Sequence, residues 1–302
     1  MIINGASLSA LFTGLKTTFN NAFAAAPSLW PKIAMLVTST TRENDYAWLA
    51  NFPRMRKWVG DKVVKSLAAF KYTIVNDDFE ATIAVRRNDI EDDNLGIYGP
   101  QAKGAAFSAK QLPDEIIFEL VNQGFASPCY DGQYFFDTDH PVNGASVSNR
   151  GTVALSCATL AAAQASYGAA RTAMRKFKDD DGRPLNITPT VLLVPPALDD
   201  TATALMTVDR LEDGKPNPYK GTAEVVVANW LTSDTAWFLL DTTKPVMPFI
   251  YQQRKAPVFV QQTAPDSDNV FNRAEYKFGA EARGAGGYGL WQLAWGSTGA
   301  GA

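Results

Sequence analysis

Residues 70–87 read FKYTIVNDDFEATIAVRR, two alternating runs of apolar and polar residues on either side of Asn76-Asp77-Asp78. Alternation with a period of two is typical of β-strands, and Asn and Asp are frequent in turns, so the stretch predicts a β-hairpin. The second run places Phe79, Ala81, Ile83 and Val85 on one face and Glu80, Thr82 and Arg86 on the other. Because a two-stranded ribbon is marginally stable by itself, we expect its apolar face to lie on a sheet, a helix or a second chain.

Charge is distributed unevenly around this predicted hairpin. The residues before the turn are basic, with Asp61 as their one acidic neighbour: Arg54, Arg56, Lys57, Lys62, Lys65 and Lys71. The turn and the residues after it are acidic, diluted by Arg86 and Arg87: Asp77, Asp78, Glu80, Asp89, Glu91, Asp92 and Asp93. Opposite charges on the two limbs suit repeated contacts between identical chains, where they set register more than affinity.

The residues before the hairpin have the character of an arm. In SLSALFTGLKTTFNNAFAAA, the residues Leu8, Leu11, Phe12, Leu15, Phe19 and Phe23 recur at helical spacing. The following PSLWPKIAMLVTSTT favours extended chain because of its prolines and its β-branched residues. A helix with one apolar stripe, next to a loose linker, is expected to pack on something else.

The rest of the chain mixes helices and strands. A helical segment covers GIYGPQAKGAAFSAKQLPDEIIFELVNQGF, with Pro113 in a first turn after an earlier helix of the same rod. Thr159–Lys178 is an Ala-rich helix that stops at DDDGRP. TPTVLLVPP is a buried strand, ALDDTATALMTV a helix, and GTAEVVVANWL, TAWFLLDT, FIYQQRKAPVFVQQT and the segment from residue 272 to 296 are further strands.

The totals exclude several classes of protein. The 302 residues are 46% hydrophobic and 20% charged, which is the composition of a globular chain with a sizeable core. A net charge of −3 argues against a general grip on nucleic acid, which needs clustered Lys and Arg. Cys129 and Cys157 form neither a disulfide framework nor a zinc spacing. Without a signal peptide or a long apolar stretch, the chain is expected to be made and kept in a cytoplasm.

Two short motifs match the sequence patterns of ligand sites but lack the surrounding residues that such sites require. GAGGYG at 284–289 matches the dinucleotide fingerprint, but only 13 residues follow, which is too few for the βαβ unit it requires. A glycine-rich strand bend is the better interpretation. Asp179-Asp180-Asp181-Gly182 has the start of a calcium loop but no acidic residue at the twelfth position, so it predicts a solvated turn.

The one histidine, His140, lies in FDTDHPV beside Asp137 and Asp139. The trio raises the possibility of a metal site or an acid–base pair, but turn and network roles are much commoner for such side chains. Cys129 as a nucleophile would need His140 as its base, and nothing in the sequence shows that they meet. We therefore expect no catalytic residue, no cofactor and no metal.

Residues 48–141 resemble the major head subunit family of Mu-like bacteriophages and prophages. The resemblance is carried by WLANFPRMRKW at 48–58, IVNDDFEATIAV at 74–85, NDIEDDNLGIYGP at 88–100, LPDEIIFEL at 112–120 and CYDGQYFFDTDHP at 129–141. After Arg150 the general plan agrees more than fixed motifs do. Ala50 stands where relatives are expected to have glycine.

The resemblance implies an α+β major capsid protein with the Hong Kong 97-type phage capsid fold. It divides the chain into an N-terminal arm (1–50), an E-loop (51–91), a first part of the P-domain with the spine helix (92–185), an A-domain (186–254) and the C-terminal strands of the P-domain (255–302). It implies pentamers and hexamers of an icosahedral shell in the virion, assembled in the host bacterial cytoplasm around a scaffolding protein, with a portal at one vertex and possible decoration proteins. The shell would enclose double-stranded DNA without reading its sequence and without a membrane.

From the apolar stripes and the divided charge we expect contacts between copies. The expected contact residues are Leu8, Phe12, Phe19, Arg54, Arg56, Lys57, Lys62, Lys65, Phe70, Tyr72, Ile74, Asp77, Asp78, Phe79, Glu80, Ile83, Val85, Asp92 and Asp93. Phe79 and Ile83 are expected to matter for assembly and hardly for folding. Lys62 and Lys65 are candidates for chemical crosslinking, but interlocking arms are the simpler mechanism. A decoration or tail protein of the same virion, and a hydrolase using Asp137, Asp139 and His140, remain as alternatives.

Overall fold

A computed structural model describes residues 5–50, 72–92, 96, 98–179, 181–264 and 267–301. The α-helices are α1 (Gly5–Ala25), α2 (Arg87–Glu91), α3 (Tyr98–Gln123), α4 (Leu160–Ala163), α5 (Ala169–Arg175), α6 (Asp199–Thr207) and α7 (Asp268–Arg273). The strands are β1 (Ala34–Thr38), β2 (Glu43–Asp45), β3 (Thr73–Val75), β4 (Asp77–Arg86), β5 (His140–Val142), β6 (Ala145–Val147), β7 (Arg150–Gly151), β8 (Val191–Val194), β9 (Glu224–Val227), β10 (Trp237–Leu240), β11 (Phe249–Gln262), β12 (Glu275–Tyr288) and β13 (Ala294–Ser297).

Two larger sheets form the framework. The first has the order β1-β11-β12-β4, with β1 parallel to β11 and the other neighbours antiparallel. The second has the order β7-β13-β10-β8-β9 and mixes parallel and antiparallel pairs. The chain passes from β12 of the first sheet to β13 of the second through a short 3-10 turn at Trp291–Leu293. Helices and sheets mixed in this way confirm the predicted α+β class.

The predicted hairpin at 70–87 is wrong, although both of its strands exist. β3 pairs with β2, while β4 pairs with β12 from Asp77↔Gly284 to Arg86↔Glu275. Asn76, expected in the turn, is buried between the two strands. The predicted alternation along β4 is confirmed, because Phe79, Ala81, Ile83 and Val85 are all less exposed than their neighbours. The edge of β4 is thus paired in a sheet, and its apolar face packs on helices α1 and α3 of the same chain.

A buried amide network holds β3 to the rest of the fold. The Gln252 Nε2 donates to the Ile74 carbonyl (3.1 Å) and to Asn76 Oδ1 (2.8 Å), and Gln252 Oε1 accepts from the Tyr46 hydroxyl (2.8 Å). The Asn76 Nδ2 donates to the carbonyls of Thr41 and Arg42 and to Ser39 Oγ. The network ties residues 39–46 to residues 72–76, the described chain on either side of segment 51–71.

Helix α3 lies directly on β12, and glycines permit this close approach. A Cβ at Gly286 would lie 2.7 Å from Ile116 Cγ2 and Leu120 Cδ1 of α3, and one at Gly287 would lie 2.1 Å from Ile74 Cδ1. Adjacent strand residues point to opposite faces, so side chains at either glycine would push packed neighbours away. The GAGGYG motif is thus part of a packed strand, as its sequence interpretation expected.

The other helices follow the sequence with two differences. Pro113 lies inside α3 instead of in a first turn, so the earlier helix and the later one are continuous. The Ala-rich helix is confirmed as α4 and α5, but a π-helical turn at Gln164–Gly168 joins them. None of the helices described is both long and apolar enough to span a membrane.

The amide network leads to a test of the first sheet. We expect Gln252→Leu to lower the free energy of unfolding by about 2–4 kcal/mol, because it removes the buried donor to the Ile74 carbonyl and to Asn76 Oδ1, and the acceptor of one hydrogen bond from the Tyr46 hydroxyl. Urea unfolding measured by circular dichroism would give the difference. Gln261→Leu, the same change at an exposed position of β11, is the matched control. Equal losses for the two variants would contradict this role of the network.

Candidate functional site

A groove lies between α3, strand β3 and the β4–β12 side of the first sheet. It consists of two adjoining cavities of about 240 Å³ and about 430 Å³, and Phe79 lines both. Leu112 and Ile116 of α3 contribute apolar surface to the walls. The Phe79 ring is half-buried between the two cavities. The groove is therefore an open surface in which Phe79, Leu112 and Ile116 supply the apolar contacts beside polar side chains.

Carboxylates rim this groove. The acidic side chains that line it are Asp77, Glu80, Glu115, Glu119 and Glu281. Of these, Glu281 is paired with Lys255 at 2.7 Å, and no lysine or arginine is among the described residues that line the two cavities. An apolar floor with an acidic rim suits a partner that is both apolar and basic.

The structure places five of the expected contact residues inside the folded chain. The side chains of Leu8, Phe12, Phe19, Ile74 and Val85 are all buried. Three of them belong to α1, which packs on α3 and on the first sheet of its own chain. The apolar stripe of the arm is therefore buried within a single copy. We correct the expectation of intersubunit contacts for these five residues, because their surface is already used in folding.

The other expected contact residues differ in their surroundings. Tyr72, Phe79 and Ile83 are half-buried, and Ile83 packs beside Phe259 against the buried clusters under α1. Asp77, Asp78, Glu80 and Asp92 are exposed, and Asp78 lies 3.2 Å from Arg283 of the same chain. The remaining expected contacts lie outside the described residues: Arg54, Arg56, Lys57, Lys62, Lys65, Phe70 and Asp93.

Asp114 of α3 holds the segment that follows α1 in the chain. Its Oδ1 accepts hydrogen bonds from the backbone N–H of Trp30 (2.6 Å) and of Leu29 (2.9 Å) and from the Ser28 hydroxyl (3.2 Å). The carboxylate thereby caps the 3-10 turn at Trp30–Lys32. Burial raises the pKa of Asp114, and these hydrogen bonds oppose that rise. The contact ties the residues that follow α1 to helix α3.

His140 lies in a buried polar cluster with different neighbours from those predicted. Its Nδ1 is 2.7 Å from Asp131 Oδ2, its Nε2 is 3.2 Å from Asn149 Oδ1, and its ring stacks on Trp291 with centroids 3.9 Å apart. Asp137 and Asp139 instead bond to backbone groups and to Ser146. A network role for His140 is confirmed, but through residues that sequence reasoning did not select.

Cys129 is in the same cluster but is not arranged as a nucleophile. Its thiol donates to Asp131 Oδ1 at 3.1 Å. Burial, followed by the nearby Asp131 carboxylate, raises the pKa of the Cys129 thiol, so the thiolate is disfavoured. Burial also acts to raise the pKa of Asp131, but hydrogen bonds from His140 and Cys129 hold it below its usual value. In the absence of a bound cation, these surroundings favour the protonated thiol.

Sequence reasoning missed the residues that shape the groove and the cluster. Glu115 and Glu119 are four residues apart on α3, a spacing that places them on one helical face and could have indicated the acidic rim. Asp131 and Asn149 lie nine residues on either side of His140, and no local pattern predicts that they meet.

Comparison with known proteins gives consistent matches along the whole chain. The family model described as "Mu-like prophage major head subunit gpT" matches residues 8–159, 153–231 and 232–300. The major capsid protein of Escherichia phage Mu is 35% identical over 294 residues, which are 97% of this chain and 74% of that protein.

Solved structures give the same result. A chain in the procapsid of bacteriophage JBD30 superposes with a TM-score of 0.61 and 33% identity, over 98% of this chain and 76% of that chain. A chain in the JBD30 capsid decorated with minor capsid protein trimers gives a TM-score of 0.60 and 33% identity, over 69% of this chain and 92% of that chain.

The Asp114 contact generates a prediction about the arm. We expect Asp114→Ala to lower the free energy of unfolding by about 2 kcal/mol, since two backbone N–H groups lose their acceptor, and Asp114→Asn to cost less because its amide oxygen still accepts. Because burial raises the pKa of Asp114, folding favours its protonated form, so wild type should gain stability relative to Asp114→Asn as the pH falls through that pKa. Urea unfolding of the three proteins at neutral and acidic pH measures both effects, and a loss with Asn equal to that with Ala would exclude the cap.

Proposed function

The chain belongs to the major head subunit family of Mu-like prophages and is a major capsid protein of a Mu-like phage with the Hong Kong 97-type capsid fold, and from this premise we propose how its copies join. Capsid proteins of this kind assemble into a shell of identical subunits. We propose that this shell consists of pentamers and hexamers, is icosahedral, and encloses double-stranded DNA without sequence-specific binding. A decoration or tail protein, the alternative left open by the sequence, has no support in a match that runs from residue 8 to 300.

The acidic groove is the observation that carries the proposed mode of assembly. Segment 51–71 contains six basic residues and one acidic residue, and it also contains apolar residues such as Phe52, Trp58 and Val63. Its chemistry therefore matches both the apolar floor and the acidic rim of the groove. In this proposal, segment 51–71 of one copy lies in the groove of a neighbouring copy, with Glu115 and Glu119 facing its lysines and arginines.

Magnitudes favour apolar contacts as the source of affinity. An exposed ion pair contributes about 0–1 kcal/mol, so the charged rim mainly selects the register of the segment. Apolar burial supplies roughly 25 cal/mol for each Å² removed from water. The apolar residues around Phe79 are therefore expected to contribute more binding free energy than the charged rim. Individually modest contacts, repeated around every subunit, are sufficient for a closed shell.

The other partners and the location follow from the capsid role. We propose that a scaffolding protein and a portal take part in assembly in the host bacterial cytoplasm, and that the finished protein resides in the virion. The related JBD30 capsid carries minor capsid protein trimers, which supports a decoration protein as a further partner.

We infer a structural role without catalysis for the buried polar side chains around His140. The one histidine lies beside Asp131 and Asn149, and the Cys129 thiol is held protonated. A hydrolase would need an accessible base next to its nucleophile. We infer that Asp137, Asp139 and His140 shape a loop and do not catalyse a reaction.

Charge reversal in the groove tests the proposed contact. We expect Glu115→Lys with Glu119→Lys to give folded, soluble subunits or capsomers and at least a tenfold lower yield of closed shells, because like charges then face each other. Sedimentation velocity and electron microscopy of the expressed protein measure the yield. Adding Lys62→Glu and Lys65→Glu should restore shells in part. Glu212→Lys, an exposed charge reversal that does not line the groove, is the control. Normal shells from the double variant would exclude the groove as an assembly contact.

Phe79 and Ile83 should behave differently, in contrast to the expectation from sequence. Phe79→Asp is expected to change the free energy of unfolding by less than about 1 kcal/mol and to abolish shells, since the ring lines an open groove. Ile83→Asp should cost about 2–3 kcal/mol in folding, because its side chain packs against buried clusters of its own chain. Chemical unfolding of the two variants, with sedimentation of each, separates the roles. Equal unfolding losses would refute the distinction.

A further inference from the structure

Three potential metal ligands converge at the start of β5. The sulfur of Cys129, a carboxylate oxygen of Asp131 and a ring nitrogen of His140 all lie within 4.8 Å of one another. Cys129 and Asp131 come from one tight turn, closed by hydrogen bonds from Cys129 N–H to Gln133 O (2.8 Å) and from Gly132 N–H to Cys129 O (3.1 Å). Thiolate, imidazole and carboxylate together are the ligand types that zinc prefers.

Asn149 orients the histidine for such a role. The Asn149 Nδ2 donates to the carbonyls of Phe135, Trp291 and Ala294, while its Oδ1 accepts from the Asp137 N–H at 2.9 Å. The same Oδ1 faces His140 Nε2, so that nitrogen carries a proton and donates it. Nδ1 is thereby directed toward Asp131 and Cys129. Metal-binding histidines are usually oriented in this way, by a hydrogen bond from the nitrogen that does not bind the ion.

We propose that Cys129, Asp131 and His140 form a binding site for a divalent zinc-like ion, with water as the fourth ligand. The sequence analysis expected no metal, and this proposal departs from it. The sequence had suggested only Asp137 and Asp139 as acidic partners of His140, whereas the structure places Asp131 beside it. It is independent of the proposed mode of assembly.

The exchange of protons for metal balances in charge. One proton lies between His140 Nδ1 and Asp131 Oδ2, and another lies on the Cys129 sulfur, which donates to Asp131 Oδ1. A divalent ion that enters the site displaces these two protons, so the net charge of this buried region stays the same. An uncompensated charge at this depth would be strongly unfavourable.

The geometry needs only a small adjustment. Ligand bonds of about 2.0–2.3 Å in a tetrahedron separate the ligand atoms by roughly 3.3–3.7 Å. With Oδ2 as the Asp131 ligand atom, its 2.7 Å distance to His140 Nδ1 would lengthen by about half an ångström. The Cys129 sulfur, which now bonds to Oδ1 at 3.1 Å, would turn from that oxygen to the ion, and the ligand atoms of the three residues already lie within 4.8 Å of one another. The side chain of Asp131 is 10% exposed, whereas that of His140 is fully buried, so ion and water would enter from the Asp131 side.

Metal binding here would strengthen the joint between the two sheets. The His140 ring stacks on Trp291, at the point where the chain passes from β12 to β13. An ion that fixes the 128–133 turn to His140 binds only the folded chain, so it must raise the stability of the fold by mass action.

Cobalt provides the direct test, because a thiolate bound to Co²⁺ absorbs in the near ultraviolet. The protein is the full chain without a polyhistidine tag, stripped with EDTA; since His140 is the one histidine of the sequence, any imidazole signal has a single source. We expect one equivalent of Co²⁺ with a thiolate absorption band, displacement by Zn²⁺, and an apparent affinity that rises with pH because two protons are released.

Variants distinguish a metal site from a hydrogen-bond network that binds no metal. Cys129→Ser and His140→Gln should each weaken binding at least 100-fold, and Zn²⁺ should raise the Tm of wild type but not of these variants. Cys157→Ser, the other cysteine, should bind as wild type does. If His140→Gln fails to fold, Cys129→Ser and Cys157→Ser still give the comparison. Absence of the thiolate band at millimolar Co²⁺ in folded wild type, or its persistence in Cys129→Ser, would overturn the proposal, whether or not shells form.

Discussion

The pairing of β4 with β12 is the interaction on which the rest of the structure depends. It adds a fourth strand to the first sheet and places Phe79 beside α3, so that a groove opens between helix and sheet. It also leaves Asn76 between two strands that run to different partners, where only a buried network can satisfy its amide. Segment 51–71 therefore joins two stretches of chain that Gln252 and Asn76 hold together.

Local patterns predicted the elements of the fold but not the partners of β4. The alternation from Phe79 to Val85 is a property of neighbouring residues, and the structure confirms it. The choice of partner is decided between residues 77–86 and 275–284, about two hundred positions apart, and depends on which edge the rest of the sheet leaves open. Pairing two neighbouring strands through a short turn has the lowest loop-closure entropy cost. In this chain, tertiary packing of β4 on β12 outweighs that advantage.

The same limit applies to the buried polar residues. His140 attracted attention as the one histidine, and its sequence neighbours Asp137 and Asp139 were the natural candidates for partners. Residues that adjoin in sequence on a strand or turn point in different directions, so adjacency is a poor guide to contact. Asp131 and Asn149 reach the ring because the 128–133 turn and the end of β6 fold back on each other. The resemblance to a family identified the function without identifying these contacts.

The division of apolar surface between folding and assembly is the main physical lesson of the subunit. Helix α1 has the apolar stripe expected of an intersubunit arm, but its phenylalanines pack within the chain. Asp114 also binds the residues that follow the helix. Because the apolar stripe of α1 is covered by its own chain, this helix does not need another copy in order to fold. In the proposed mode of assembly, the contact between copies is a groove of moderate size with a charged rim, and its single ion pairs are weak. Weak contacts dissociate and re-form when subunits meet in a wrong register, and a closed shell of identical chains requires such correction during growth.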